Sequence, residues 1–176
     1  TKARILCLAV GLACFLLYVH TAAPSLTWAH SGSDGGDLIA AASTWGVAHP
    51  SGYPTYILLS RGFAELLQLV PPARNYNLFS AVCAALSVFL SCHCIQVILS
   101  SDTGDAGAAA NVMAAAGALT WGCSPLLWSQ ATISEVYTLH SALWAAMLCL
   151  GLEQRRTSRA WCWWVLGLVT GLGLGN

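Results

Sequence analysis

The chain has 176 residues, of which 57% are hydrophobic and 8% charged, and its formal net charge is zero. A soluble domain carries about 25% charged residues. A surface this poor in charge excludes an ordinary water-soluble globule and points to a multi-pass membrane protein, and the absence of a basic excess excludes a nucleic-acid partner.

In chain order, the first apolar run is Ile5 to Ala23, behind Lys2 and Arg4. A helix needs about 20 apolar residues to cross a hydrocarbon core. The run imitates a signal peptide, but it is long for one and no clear cleavage site follows, so it reads as a retained span. A polar passage comes next, SDGGDLIAAASTWGVAHPSGYP, residues 33 to 54. It spends two of the chain's seven acidic residues, Asp34 and Asp37, three positions apart. An Asp-x-x-Asp before an Ala-rich run is a helix-start signature: Asp34 would accept a backbone N–H as the N-cap, and Asp37 would sit in the first turn. His49, Pro50, Gly52, Tyr53 and Pro54 then shape a tight loop. PTYILLSRGFAELLQLVPP is apolar but carries Arg61 and Glu65 one turn apart. It reads as an amphipathic helix along the membrane surface, stopped by Pro71 and Pro72.

Residues 75–101 form a second span, 106–121 a third, 136–152 a fourth and 160–175 a fifth. Between the third and fourth lies a second polar passage, WGCSPLLWSQATISEVYTLH, with Trp121 and Trp128 suited to the interfacial belt. The expected fold is an all-α, multi-pass transmembrane bundle, with short amphipathic helices in a first non-cytoplasmic loop over 24–74. With Lys2 and Arg4 in the cytoplasm, the fourth crossing returns to Arg155, Arg156 and Arg159. Five of the seven basic residues then share one side, as the positive-inside rule asks. Both polar passages fall on the other side. The small-residue run over 108–117 reads as helix packing. The eight cysteines lie mostly in apolar runs and read as packing. Cys92-His93-Cys94 cannot converge on one metal ion from consecutive positions of a helix. The missing initiator Met and the end at GLGLGN suggest a fragment of a longer polypeptide.

Carboxylates beside a bilayer are costly, and in a chain this poor in charge they are functional candidates. A fixed carboxylate there can take the proton of an attacking hydroxyl as general base, and a second can orient it. Glu135, at the start of the fourth span, would face the same side. Few basic groups stand on that side to hold an anion: Arg74 is the first candidate and Arg61 the second, with His49 and His140 if charged. Tyr53 offers an amphipathic ring at the interface, and Gln130 is a candidate contact for acceptor or sugar.

The wording of these passages is specific. The 34–54 stretch fits D-[SG]-G-[ED]-[FL]-I-x-A-A-x-x-x-G-V-A-H-P-x-G-Y-P. With ARNYNLFSAVCAAL, SPLLWSQATISEVYTLHSAL and GLVTGLGLGN it makes four motifs in order over about residues 28 to 176. Together they resemble the transmembrane protein 260 type O-mannosyltransferases and their bacterial relatives, multi-pass glycosyltransferases of the GT-C class. The resemblance implies transfer of mannose from a polyprenyl phosphate, typically dolichyl phosphate mannose, to Ser or Thr hydroxyls of a lumenal protein. It implies inversion at the anomeric carbon, no required divalent metal and no other cofactor, and an endoplasmic reticulum membrane, or a bacterial inner membrane. It places the base in the first non-cytoplasmic loop, at Asp34. Asp37 stands where the family usually has Glu, and Gly35 where it usually has Ser, so which of the two carboxylates is the base stays open. The candidate donor- and substrate-binding residues beside that base are His49, Tyr53, Arg61, Arg74, Gln130, Glu135 and His140, and the rest of a longer polypeptide could equally supply the phosphate-binding cation. The rival readings are a transporter subunit and a non-catalytic truncated scaffold. Five spans are too few to enclose a lipid-linked donor, so the fragment alone is expected to be inactive.

Overall fold

A computed structural model describes residues 2–100 and 107–176. The expected junction of the second and third spans, with the acidic loop around Asp102 and Asp105, lies outside the described residues. Those described are all-helical, with no strand. In order they form α1 (Lys2–Thr21), a 3-10 turn (Ala29–Ser31), α2 (Gly35–Thr44), α3 (Pro54–Leu67), α4 (Ala73–Leu99), α5 (Ala108–Gly122), α6 (Pro125–Ala131), α7 (Tyr137–Thr157) and α8 (Ala160–Leu174).

Among the described residues, two helices are long and apolar enough to cross a membrane, Ala3–Thr21 and Ala73–Leu99. The other three expected spans are also helices, but α5 and α8 have 15 residues each. At 1.5 Å per residue they reach about 22 Å, short of a hydrocarbon core of about 30 Å. α7 is long enough, but its C-terminal part carries Glu153, Arg155 and Arg156.

α4 is the mast of the fold and packs against α1, α3, α5, α6 and α7. Its sequence permits this because it buries mostly small side chains, among them Ser80, Ala81, Cys83, Ala84, Ser87 and Val88. Small residues let helix axes approach closely where no water drives them together. Two cores result. One joins α1, α4, α5 and α6 around Cys14, Tyr18, Val88, Ala118 and Leu127. The other joins α2, α3, α4 and α7 around Leu38, Tyr56, Ile57, Phe79 and Leu139. α5 turns Ala114, Ala118 and Gly122 inward, one face at four-residue spacing. A methyl on Gly122 would lie 2.8 Å from Cys14 Sγ, and its carbonyl accepts the Tyr18 hydroxyl at 2.6 Å. Cys92 packs into the α1 core while Cys94 Sγ lies 2.8 Å from Cys149 Sγ on α7. The two cysteines thus face different helices, as their positions on a helix require.

α3 buries Tyr56, Ile57, Ser60 and Ala64, whereas Leu58, Leu59 and Leu66 are exposed, so its outer face is largely apolar. It stops before the prolines. Gln68 takes a left-handed conformation (φ 52°) and donates its N–H to Ala64 O, and Pro72 instead caps the start of α4.

Candidate functional site

α2 presents Leu38, Ala41 and Ala42 to the core at i, i+3 and i+4 spacing, which turns Asp37 outward. Asp34 occupies the N-cap position, but its carboxylate accepts no backbone N–H. Its backbone is helical (φ −89°, ψ −16°) rather than extended as a capping side chain needs. The carboxylate is left for other partners: Ser33 Oγ donates to Oδ1 at 3.1 Å.

The partner that organises the site arrives twelve residues later. After α2 the chain reverses through Trp45, which is left-handed (φ 56°), and runs back along the helix. His49 then meets Asp37, whose Oδ2 accepts both the His49 backbone N–H and Nδ1 at 2.9 Å. On the far side of the ring, His49 Nε2 lies 3.7 Å from Asp34 Oδ2, within ion-pair range but beyond a hydrogen bond. Gly52, at φ +90°, closes the turn by donating its N–H to His49 O at 2.7 Å. Tyr53 sets its ring edge-on against the imidazole, centroids 5.3 Å apart. Pro54 then starts α3 at a position that needs no N–H. The two carboxylates and the imidazole are each roughly half exposed.

Behind them stands Glu135, in the short link between α6 and α7 and only 3% exposed. The link is held by residues of the ARNYNLFSA segment at the start of α4. Ser134 Oγ donates to Asn77 Oδ1 at 2.5 Å, and Asn77 Nδ2 donates to Ala23 O and Ser25 O. Ser80 Oγ lies 3.4 Å from both the N and the O of Glu135. Asn77 and Ser80 therefore fasten the chain after α1 and the link before α7 to one helix. Sequence reasoning assigned them no role. The available signal was the cost of placing amides and hydroxyls at the start of an apolar span.

The electrostatics follow from this packing. Burial pushes the Glu135 carboxyl up to about 7, helped by the Asp34 charge and opposed by the Val136 N–H and His49. The hydrogen bonds from the His49 backbone and ring hold Asp37 below the usual carboxylate range. The Asp37 hydrogen bond raises the proton affinity of His49, partial burial opposes it, and Asp34, Asp37 and Glu135 add to the rise. For Glu135 the stability consequence has a definite sign. Between its ordinary value of 4.5 and about 7 the folded state holds a proton that the unfolded chain has released, so stability falls as pH rises through that window. At pH 8 the buried charge costs about 3 kcal/mol. Glu135→Gln is expected to flatten the pH dependence between 4.5 and 7 and to be more stable than the wild type at pH 8. Denaturation midpoints in detergent at pH 5 and pH 8 measure this; a wild-type slope that persists in the variant removes Glu135 as its cause.

Arg61, Gln130 and His140 make their hydrogen bonds to groups outside this cluster. Arg61 closes the C-terminal end of α2, where NH1 donates to Ala42 O at 2.7 Å and Ser43 O at 2.8 Å. Its Nε pairs with Glu65 at 2.7 Å and its guanidinium lies 4.1 Å from the centre of the Trp45 ring. That end of α2 is about 12 Å along the axis from Asp34. Arg74 is exposed in the first turn of α4. Gln130 and His140 share a groove of about 290 Å³ with Trp121, Leu126 and Tyr137. There Gln130 Nε2 donates to His30 O, and His140 Nε2 accepts from Trp144 Nε1 at 2.7 Å. Among the described residues no three His, Cys, Asp or Glu side chains are arranged to hold a metal ion. The site thus offers a carboxylate in solvent, a second one locked to a histidine, and a third, buried carboxyl that titrates near neutrality.

The sequence profile described as "Protein O-mannosyl-transferase TMEM260 N-terminal domain" matches residues 34–176, beginning at the first of these carboxylates. The chain is 27% identical over 159 residues to "Protein O-mannosyl-transferase tmem260" of Dictyostelium discoideum, covering 88% of this chain and 18% of that relative. It is 29% identical over 129 residues to "Protein O-mannosyl-transferase TMEM260" of Mus musculus, covering 73% of this chain and 17% of that one. The chain thus spans less than a fifth of the length of these curated relatives. No solved structure matches it.

Proposed function

The chain belongs to the family of TMEM260-type protein O-mannosyl-transferases, through their N-terminal domain, and from that premise we propose that it carries the acid–base half of a lipid-linked sugar transferase. The donor is a mannosyl polyprenyl phosphate such as dolichyl phosphate mannose, and the acceptor is a Ser or Thr hydroxyl of a protein on the non-cytoplasmic side. The host is a multi-pass membrane protein of the endoplasmic reticulum in which α1 and α4 cross and α5 and α7 pack against α4. The observation that carries the reading is the convergence of Asp34, Asp37 and His49, from a loop directly after the first apolar helix, on one solvent-open spot.

The chemistry is a single displacement. A carboxylate of the pair, Asp34 in the first instance, accepts the hydroxyl proton as the acceptor oxygen bonds to the anomeric carbon. The bond from that carbon to the phosphate oxygen breaks, and its electron pair leaves with the lipid monophosphate. Attack from the face opposite the leaving group inverts the configuration. No metal is needed to balance the step. The leaving phosphate requires positive charge or donors nearby. Arg61 is committed to the end of α2 and His49 to the two carboxylates, so Arg74 or the longer protein supplies that charge.

The test uses the full-length protein in native or reconstituted membranes, given a labelled mannosyl polyprenyl phosphate and a Ser/Thr-containing peptide. The expected result is peptide-bound mannose on a hydroxyl, with inverted anomeric configuration and no loss on chelation of divalent ions. Membranes that express the protein abundantly and transfer no more label than membranes without it would overturn the proposal.

A further inference from the structure

We propose that His49 is a positioning residue: Asp37 locks its ring, and the locked ring aims the Asp34 carboxylate, which makes Asp34 the base and Asp37 its support. The inference rests on the transferase reading and resolves the roles that the two carboxylates play in it.

One oxygen of the Asp37 carboxylate takes two hydrogen bonds from the same residue, the His49 backbone N–H and the ring Nδ1, both at 2.9 Å. An ionised carboxylate only accepts, so Nδ1 carries the hydrogen whatever the charge of the ring. Backbone and side chain are gripped together, which fixes the rotamer. The Gly52 N–H on His49 O and the edge of the Tyr53 ring hold the other sides. Nε2 is then the only ring nitrogen left, and it faces Asp34 Oδ2 at 3.7 Å.

Because Nδ1 always carries a hydrogen, Nε2 carries one only in the imidazolium. The charged ring attracts Asp34; the neutral ring turns a lone pair toward it. The clamp therefore has a pH limit. The ionisable groups that face His49 are Asp34 and Asp37 from the head of α2 and Glu135 from the link before α7, and all three favour the imidazolium. As pH rises through the elevated titration of His49, the ring is neutralised and Asp34 is released. The basic limb of the pH–rate profile then belongs to His49.

The experiment is a pH–rate series on the full-length protein, with wild type, His49→Asn, Asp37→Asn and Asp34→Asn checked for equal abundance and monodispersity. Asparagine at 49 retains a donor in the place of Nδ1 and nothing in the place of Nε2. His49→Asn is expected to lose the basic limb, to drop kcat roughly tenfold at the optimum, and to leave the donor KM within about twofold. Asp37→Asn is expected to move the basic limb to lower pH. In parallel, imidazole carbon NMR of the full chain follows the His49 resonance, identified by its absence in His49→Asn. Its midpoint should fall more in Asp37→Asn than in Asp34→Asn. A basic limb that persists in His49→Asn overturns the proposal. So does a raised donor KM with unchanged kcat, which would place the ring on the phosphate instead. A His49 midpoint indifferent to Asp37→Asn also overturns it. An Asp34→Asn variant of undiminished rate overturns it as well, because Asp34 is then not the base. A wild type that transfers no sugar overturns the transferase reading itself; the imidazole titration then decides the clamp alone, for it if the midpoint falls in Asp37→Asn and against it if not.

Discussion

On the transferase reading, Asp34→Asn in the full-length protein is expected to lower sugar transfer by about 10²- to 10⁴-fold, the range that a positioned general base contributes, with the protein otherwise normal in amount and stability. The two halves of that expectation have separate structural grounds. The rate falls because an amide takes no proton at neutral pH while occupying the same volume. Stability survives because the side chain is 47% exposed and accepts one hydrogen bond, from Ser33 Oγ, with no part in holding α2. Asparagine is also a favourable residue at a helix N-cap. Initial rates on a peptide acceptor, normalised to protein abundance, measure the effect. Retention of most of the wild-type rate removes Asp34 as the base, whatever the behaviour of His49.

Asn77→Ala is expected to destabilise the protein by about 3 kcal/mol, because it unmakes three hydrogen bonds whose partners stay buried or half-buried. The Asn77 amide donates to Ala23 O at 2.9 Å and Ser25 O at 3.1 Å and accepts from Ser134 Oγ. Asn77 is 2% exposed and Ser134 3% exposed, so water cannot readily replace what is lost. Two chain segments more than 50 residues away in sequence would come loose together, the exit from α1 and the link that holds Glu135. The variant should therefore also let the Glu135 carboxyl fall back toward the usual carboxylate range, as burial relaxes. The apparent melting temperature in detergent reports the first effect. The pH dependence of stability between 4.5 and 7 reports the second. A variant as stable as wild type would mean that Asn77 holds nothing together.

Much of the fold was legible because composition and periodicity report each stretch's own solvent preference. The uncharged runs became α1 and α4, and the stretch around Arg61 and Glu65 became α3. The small-residue stretch became a packing helix, although its inward stripe, Ala114, Ala118 and Gly122, lies toward the end of the run and beyond it. Where competing local signals were present, the reading went astray. Asp34 has the residue type and spacing of a cap, yet its backbone is helical and its carboxylate turns to Ser33 and His49. Pro71 and Pro72 looked like the stop of α3, but a left-handed Gln68 ends it first and Pro72 begins the next helix.

By itself the sequence determined the membrane-like class, the helical runs, the family motifs and the placement of two carboxylates after the first apolar helix. These depend on hydrophobicity and on neighbours within a few residues. Only the tertiary structure decided that His49 stands between those carboxylates, that Glu135 is buried behind them, that Arg61 is consumed by the end of α2, and that Asn77 and Ser80 fasten the site to α4. Those contacts join residues 12 to 57 positions apart or more. Their reason is that a buried polar group must find a partner wherever packing brings one, and helix packing, rather than local preference, chooses which side chains meet.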